Sequence, residues 1–336
     1  MINPFSEPAD PGVGTYNVGV VPTRWSFEFT NGDHHLREHG LRVESVHLNW
    51  GDCWVYWFSR MSFCDKNWDD PVDWQAQYTI VALPHSFMRY GVAKGIKSSG
   101  GPHSFESGMT DPALKGFDAA TVVLAGWQFG FWEKDHHIRK MGVRIKDVVY
   151  DSEQGKLSWN FEHTFGDKNG DDDIYYRYYF LVIAFNNGEA ISHTIKEQSR
   201  TGSSGYTITN PAGSREKEAV LPQGFFYEIN EDGDLHVLCH DFNTVVIPSP
   251  QGNGVYISPM VFFPDRILVD FGTGRIGYSP NLELDFVVLF FDEGGVGKHP
   301  SDEWMQSNVY QTEWGGVAWR SYVYALDPPE FPLCSY

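Results

Sequence analysis

The strongest constraint on this chain is that part of it is written twice. Asp33-His34-His35-Leu36-Arg37, followed by Gly40-Leu41-Arg42-Val43, recurs as Asp135-His136-His137-Ile138-Arg139, followed by Gly142-Val143-Arg144-Ile145. Phe63-Cys64-Asp65-Lys66-Asn67-Trp68-Asp69-Asp70 recurs as Phe165-Gly166-Asp167-Lys168-Asn169-Gly170-Asp171-Asp172. Upstream, Trp25, Phe27 and Phe29 return as Trp127, Phe129 and Phe131. The offset is 102 residues throughout, and 18 of 59 pairs are identical between Trp25–Leu83 and Trp127–Phe185. Solenoid repeats run to roughly 20–50 residues, so this period is that of a small domain.

A third, diverged unit is expected downstream. Gly254-Val255-Tyr256-Ile257 resembles Gly142-Val143-Arg144-Ile145, Asp265–Phe271 follows as a strand, and Leu284–Phe291 matches the apolar run ending at Phe185. The expected units are residues 1–90, 91–198 and 199–336. The tail beyond Asp292, with Trp304, Trp314 and Trp319, fits none of the repeats.

Each copy reads as strands. Trp25, Phe27 and Phe29 alternate with polar residues, which places three rings on one face of an extended segment. Further strands are expected over Leu41–Leu48, Cys53–Phe63 and Trp74–Leu83, and again over Thr121–Phe131, Gly142–Tyr150, Lys156–Phe165 and Ile174–Phe185. Clusters of Gly, Asn and Asp separate them, as turns require. Four or more antiparallel strands with one apolar face must close on a second sheet. The expected fold is therefore all-β, with tandem antiparallel β-sandwich domains. Only Ser301-Asp302-Glu303, before Trp304, offers a helix cap.

Charge narrows the partners. With 25 Lys and Arg against 44 Asp and Glu, the net charge is −19, a field that repels phosphate backbones and anionic lipid. Neither nucleic acid nor a membrane surface is expected as a partner. No apolar run approaches the ~18 residues of a membrane span, and Met1–Gly14 lacks a basic start and an apolar core. The expectation is a soluble, cytoplasmic protein without a signal peptide. Cys53 and Cys64 could face each other across a hairpin as a disulfide, but Gly166 replaces Cys64 in the second copy, which favours free buried thiols.

Several motifs have simpler readings than their chemistry suggests. Gly272-Thr273-Gly274-Arg275-Ile276-Gly277 fits a dinucleotide fingerprint, but Tyr278-Ser279-Pro280 follows where a helix is required; a hairpin turn is expected. Asp167, Asn169 and Asp171 have the oxygen density of a calcium loop, yet the sixth position is Asp172 and the twelfth is Tyr178. A charged hairpin tip is the plainer reading, with calcium the one cofactor left open. Adjacent histidines on an extended chain point oppositely, so neither His34-His35 nor His136-His137 chelates one metal as a pair. Arg37 and Arg139 stand at loop edges before glycine-led strands, where an arginine fork can bind hydroxyls or carboxylates. Arg42 and Arg144, within strands, are expected to pair with an acid across the sheet.

In strand order and spacing, Phe117–Leu124, Arg139 with Val143-Arg144-Ile145, Lys156–Phe165 and Tyr178–Phe185 resemble the H-type lectin domain, as does Trp25–Leu83. That resemblance implies a small six-stranded sandwich that assembles in threes and binds galactose or N-acetylgalactosamine between neighbours. It implies Arg37 and Arg139 as sugar-contacting arginines, with Phe63 and Phe165 at the aromatic position. His35, His137, Trp68, Asp70 and Asp172 complete the implied loop rims. The family's Trp-His pair is absent, Phe63-Cys64 and Phe165-Gly166 standing in its place. Three fused units would build a pseudo-three-fold assembly within one monomeric chain.

The leading expectation is thus a non-catalytic, carbohydrate-binding protein whose ligand is a glycan or other small molecule. The alternative is an enzyme, such as a cyclase or lyase, with one pocket between repeats; His136, His137, Asp135 and Glu133 would be its acid–base candidates. A structural or toxin-like component is a third. A deep aromatic-lined cavity would favour the enzyme, and shallow repeated surface sites the lectin.

Overall fold

The computed structural model describes residues 16–29, 36–49, 54–64, 72–97, 99–132, 136, 138–167, 170–198, 206–209, 217–228, 237–241, 247–248, 254–257, 281–299 and 317–325. These residues are nearly all strand; one 3-10 turn spans Pro112–Leu114. The first strands are β1 (Tyr16–Phe29), β2 (Glu38–Asn49), β3 (Trp54–Cys64), β4 (Val72–Pro84), β5 (Phe87–Lys97) and β6 (His103–Thr110). Next come β7 (Ala119–Phe131), β8 (Lys140–Asp151), β9 (Lys156–Gly166), β10 (Ile174–Phe185), β11 (Gly188–Gln198) and β12 (Tyr206–Thr209). The last are β13 (Lys217–Glu228), β14 (Val237–Asp241), β15 (Ile247–Pro248), β16 (Gly254–Ile257), β17 (Asn281–Phe291), β18 (Gly295–His299) and β19 (Val317–Ala325).

One antiparallel pairing scheme recurs along the chain. β1 pairs with β4, β7 with β10 and β13 with β17. In all three pairs a single residue bulges from the first strand, namely Thr23, Ala125 and Gln223. A bulge bends its strand and sharpens the twist, so the three pairs share one curvature. The remaining strands are handed forward. β2 joins β7 and β8 joins β13, while β14 closes back on β1. Likewise β5 joins β10, β11 joins β17 and β18 returns to β4. β6 covers β9, and β19 covers β3 in the same way.

Two six-stranded sheets result, ordered β19-β3-β2-β7-β10-β5 and β11-β17-β13-β8-β9-β6, with a four-stranded sheet β14-β1-β4-β18 and a three-stranded sheet β12-β16-β15. The sheets therefore run across residue 90 and residue 198, since β2 pairs with β7 and β11 with β17. An unpaired strand edge exposes a row of backbone donors and acceptors, and lending strands to the next unit covers most of those edges. Two alignments of the third unit need correction. Gly254–Ile257 pairs with β15 and β12, the place held by β9 rather than by β8. The tail is not outside the scheme, because β18 and β19 occupy the places of β5 and β6. Short runs of alternating apolar residues look alike in any half-buried strand, so sequence could not separate these assignments.

The core follows from the alternation. Inward-facing Trp25, Trp127 and Phe225 come together, with ring centroids at 4.4, 5.5 and 4.9 Å. A second cluster draws on equivalent positions of all three strand pairs: Val21, Val123 and Leu221; Val81, Ile183 and Leu289; Leu83, Phe185 and Phe291. Arg144 finds acids across the sheet, as expected, whereas the acid beside Arg42 lies on its own strand. Arg42 reaches Glu44 at 2.8 Å and Gln128 at 2.6 Å. Arg144 pairs with Glu283 and Asp285. The Cys64 side chain is buried.

Candidate functional site

The expected sugar-binding residues divide into three groups. Arg37 and Arg139 hold equivalent places: the backbone N–H of each donates to the strand that ends its unit's hairpin, at Cys64 (2.8 Å) and Gly166 (2.9 Å). Both side chains are half-buried. Phe63 and Phe165 are fully buried; Phe165 stacks on Phe129 at 5.3 Å. A ring packed on both faces cannot take a sugar, and the family's aromatic position is therefore filled by core residues. His35, His137, Trp68, Asp70 and Asn169 lie outside the described residues.

Asp172 is brought to a different partner. Its carboxylate lies 3.2 Å from His136 Nδ1, and that of Asp167 lies 3.6 Å away. These three ligand atoms lie within 4.8 Å of one another. Burial, together with the nearby carboxylates, raises the Asp172 pKa against the pull of His136. Asp171 is exposed and is not one of the three. A nitrogen and two carboxylates suit a transition metal better than calcium, which takes six to eight oxygens.

A different site is built between the two six-stranded sheets, where their edges β5 and β6 diverge. A cleft of about 420 Å³ opens there, lined by Phe105, Ser107 and Met109 of β6, Trp159 of β9, and Tyr176, Phe180 and Val182 of β10. The period of a strand explains the lining: Trp159, Phe161 and His163 project from one face of β9, and Tyr176, Tyr178 and Phe180 from the facing side of β10. Rings interlock across the gap, Trp159 with Phe180 at 5.2 Å and Phe105 with Tyr176 at 5.9 Å. Room is left because β5 contributes Gly91 and Gly95 opposite the bulkiest rings. A Cβ on Gly91 would fall 2.3 Å from Phe180, and one on Gly95 would fall 2.5 Å from the Tyr176 hydroxyl. At one end of the cleft Arg89 and Asp111 form an ion pair at 2.9 Å that links the two edges.

The polar atoms of this region are unusual. Trp159 Nε1, both ring nitrogens of His163 and the Tyr178 hydroxyl are buried without a hydrogen-bond partner among the described residues. Buried polar groups are nearly always paired, and each orphan costs roughly 1–3 kcal/mol. The His163 ring lies 4.3 Å from that of Tyr176 and 5.3 Å from that of Tyr178. Burial, helped by His103 and Lys97, lowers its pKa to about 3, so it is neutral near pH 7. Burial likewise pushes the Tyr178 hydroxyl up. Near neutral pH the region thus carries uncharged donors and acceptors inside an aromatic wall.

Sequence reasoning passed over this cleft. Its one signal was a row of aromatic residues at every second position in two adjacent strands, opposite a strand with glycine at every fourth. Trp159 is also identical to Trp57 of the first copy, which by itself reads as core. No family model matches the chain, and no curated protein matches it.

Proposed function

We propose that this protein binds a small, mainly apolar molecule in the cleft between β5 and β6. The observation that carries the reading is an aromatic-lined opening whose lining includes a buried indole N–H without a partner. Ligand sites are concave and mostly apolar, with a few well-placed polar groups. A core without a ligand would gain by closing over Phe180 and Tyr176, whereas small residues on β5 keep the space open. Fluorescence titration with N-phenyl-1-naphthylamine tests this: saturable binding that Gly91→Val abolishes supports it. Equal emission with both proteins counts against it.

Glycan binding is a second reading, supported by other rings than those the lectin resemblance implies. On the outer face of β3, Trp54 and Phe58 are 37% and 44% exposed, with Tyr56 between them. Trp54 and Tyr56 stack at 6.5 Å and 26°, a platform on which the apolar face of a sugar could lie. A glycan array with the native protein and Trp54→Ala tests it. The recurring pairing scheme further supports a pseudo-three-fold arrangement within one chain, for which a monomeric mass in light scattering is the expected result.

A further inference from the structure

We infer that the molecule held in the β5–β6 cleft carries a hydrogen-bond-accepting oxygen, of the kind found on a ketone, ester or lactone, which takes the Trp159 indole N–H and the Ser107 hydroxyl. The inference rests on the binding function proposed above and adds the chemical class of ligand.

Ser107 and Trp159 are direct partners in the β6–β9 register, and both line the cleft. Side chains on one face of such a pair have Cβ atoms about 4.5–5.5 Å apart, close enough for two donors to meet on one oxygen. Trp159 is 3% exposed and its N–H has no partner among the described residues. An indole nitrogen only donates, so what it lacks is an acceptor. The neighbours on β6 supply none: Phe105 and Met109 flank Ser107 at the next inward positions. The Tyr90 hydroxyl, also on the lining, is already engaged with the backbone of Val20 at 2.7 and 2.9 Å. Across the cleft Phe180 and Val182 are apolar, and the Arg89 and Lys94 side chains of β5 can only donate. The acceptor must therefore come with the ligand, and the surrounding rings select a flat apolar body to carry it.

The first copy differs at the matching positions. Trp57 packs against Tyr78 at 5.5 Å, as Trp159 packs against Phe180. There the tyrosine hydroxyl reaches Ser59 at 2.5 Å, whereas the second copy has Phe180 and Phe161 at the matching positions. The second copy has thus replaced an internal hydroxyl pair by rings beside its open cleft.

Two probes of the same shape decide the matter: 6-propionyl-2-(dimethylamino)naphthalene and its 6-propyl counterpart, which lacks the carbonyl. The native protein is expected to prefer the ketone by roughly three- to tenfold, the worth of one neutral hydrogen bond, and to lower its carbonyl stretching frequency relative to the probe in hydrocarbon. Trp159→Phe and Ser107→Ala should each reduce the preference and return the stretch towards the hydrocarbon value. Equal affinity of the native protein for the two probes overturns the inference, as does an unchanged stretch in both variants. If Trp159→Phe does not fold, Ser107→Ala and the stretch decide alone. Failure of both probes to bind would instead strike at the cleft reading itself.

Discussion

The indole rings of Trp25 and Trp127 meet at 4.4 Å although their residues lie in separate copies of the repeated sequence. Phe225 of β13 completes a triangle with them. Trp127 is fixed further by donating its N–H to His39 Nδ1 at 2.8 Å. Trp25 and Trp127, matched by sequence, thus meet in space. Phe225 joins them from the third strand that carries such a bulge, the three bulges lying at Thr23, Ala125 and Gln223 respectively. The point where three strand pairs converge should dominate stability.

Trp127→Ala should destabilise the protein by ~3–5 kcal/mol, because it opens a cavity between two other rings and leaves His39 without its donor. Trp127→Phe should cost less, since it keeps a ring there. Urea unfolding of both variants followed by circular dichroism checks the ranking; equal losses would show that the triangle is not packed as described.

Burial lowers the pKa values of His39 and His163 to about 3, from an ordinary value of 6.5. Between those values the unfolded chain takes up protons that the folded chain refuses. Stability is therefore fully present above about pH 6.5 and lost as the pH falls towards about 3. His163→Phe should raise stability at pH 7 by ~1–3 kcal/mol, by removing two unpaired nitrogens from an aromatic core, and raise it further at pH 5. Unfolding free energies measured from pH 4 to 8 would show a shallower slope for the variant.

Asp285 is 2% exposed and holds Arg144, Lys146 at 2.7 Å and Thr194. Asp285→Ala should cost ~1.5–3 kcal/mol by removing a buried, charge-assisted partner of Arg144, although Glu283 still faces that arginine. Adding Arg144→Met to Asp285→Leu should recover most of that loss. A double variant no more stable than Asp285→Ala would mean that the acid serves packing rather than charge.

Gly91→Val should drive the Phe180 ring into the cleft, because a side chain there begins 2.3 Å from that ring. We expect loss of N-phenyl-1-naphthylamine binding with a moderate cost of ~1–3 kcal/mol. Glu106→Ala, on the outward face of β6 and away from the cleft lining, is the control and should leave binding intact.

Much of the fold could be read from residues. The alternation at Trp25, Phe27 and Phe29, and again at Trp127, Phe129 and Phe131, carried the strands, because a strand turns its side chains over with a period of two. Arg144, a charged position within a strand, carried its acid partners across the sheet. The expected site was less legible. Phe63 and Phe165 matched an aromatic ligand position in order, but burial depends on what packs above a ring, and a sequence does not state it. His136, Asp167 and Asp172 lie more than 30 residues apart between the first and second of them, and only the fold draws them together.

The sequence alone determined the strand content, the repeat and its spacing, since period and identity are local properties of the chain. Tertiary structure decided which edges pair. Lending β2 to β7 and β5 to β10 satisfies backbone groups that no local pattern can assign. That choice also sets β5 and β6 apart, and the aromatic cleft is the space their divergence leaves.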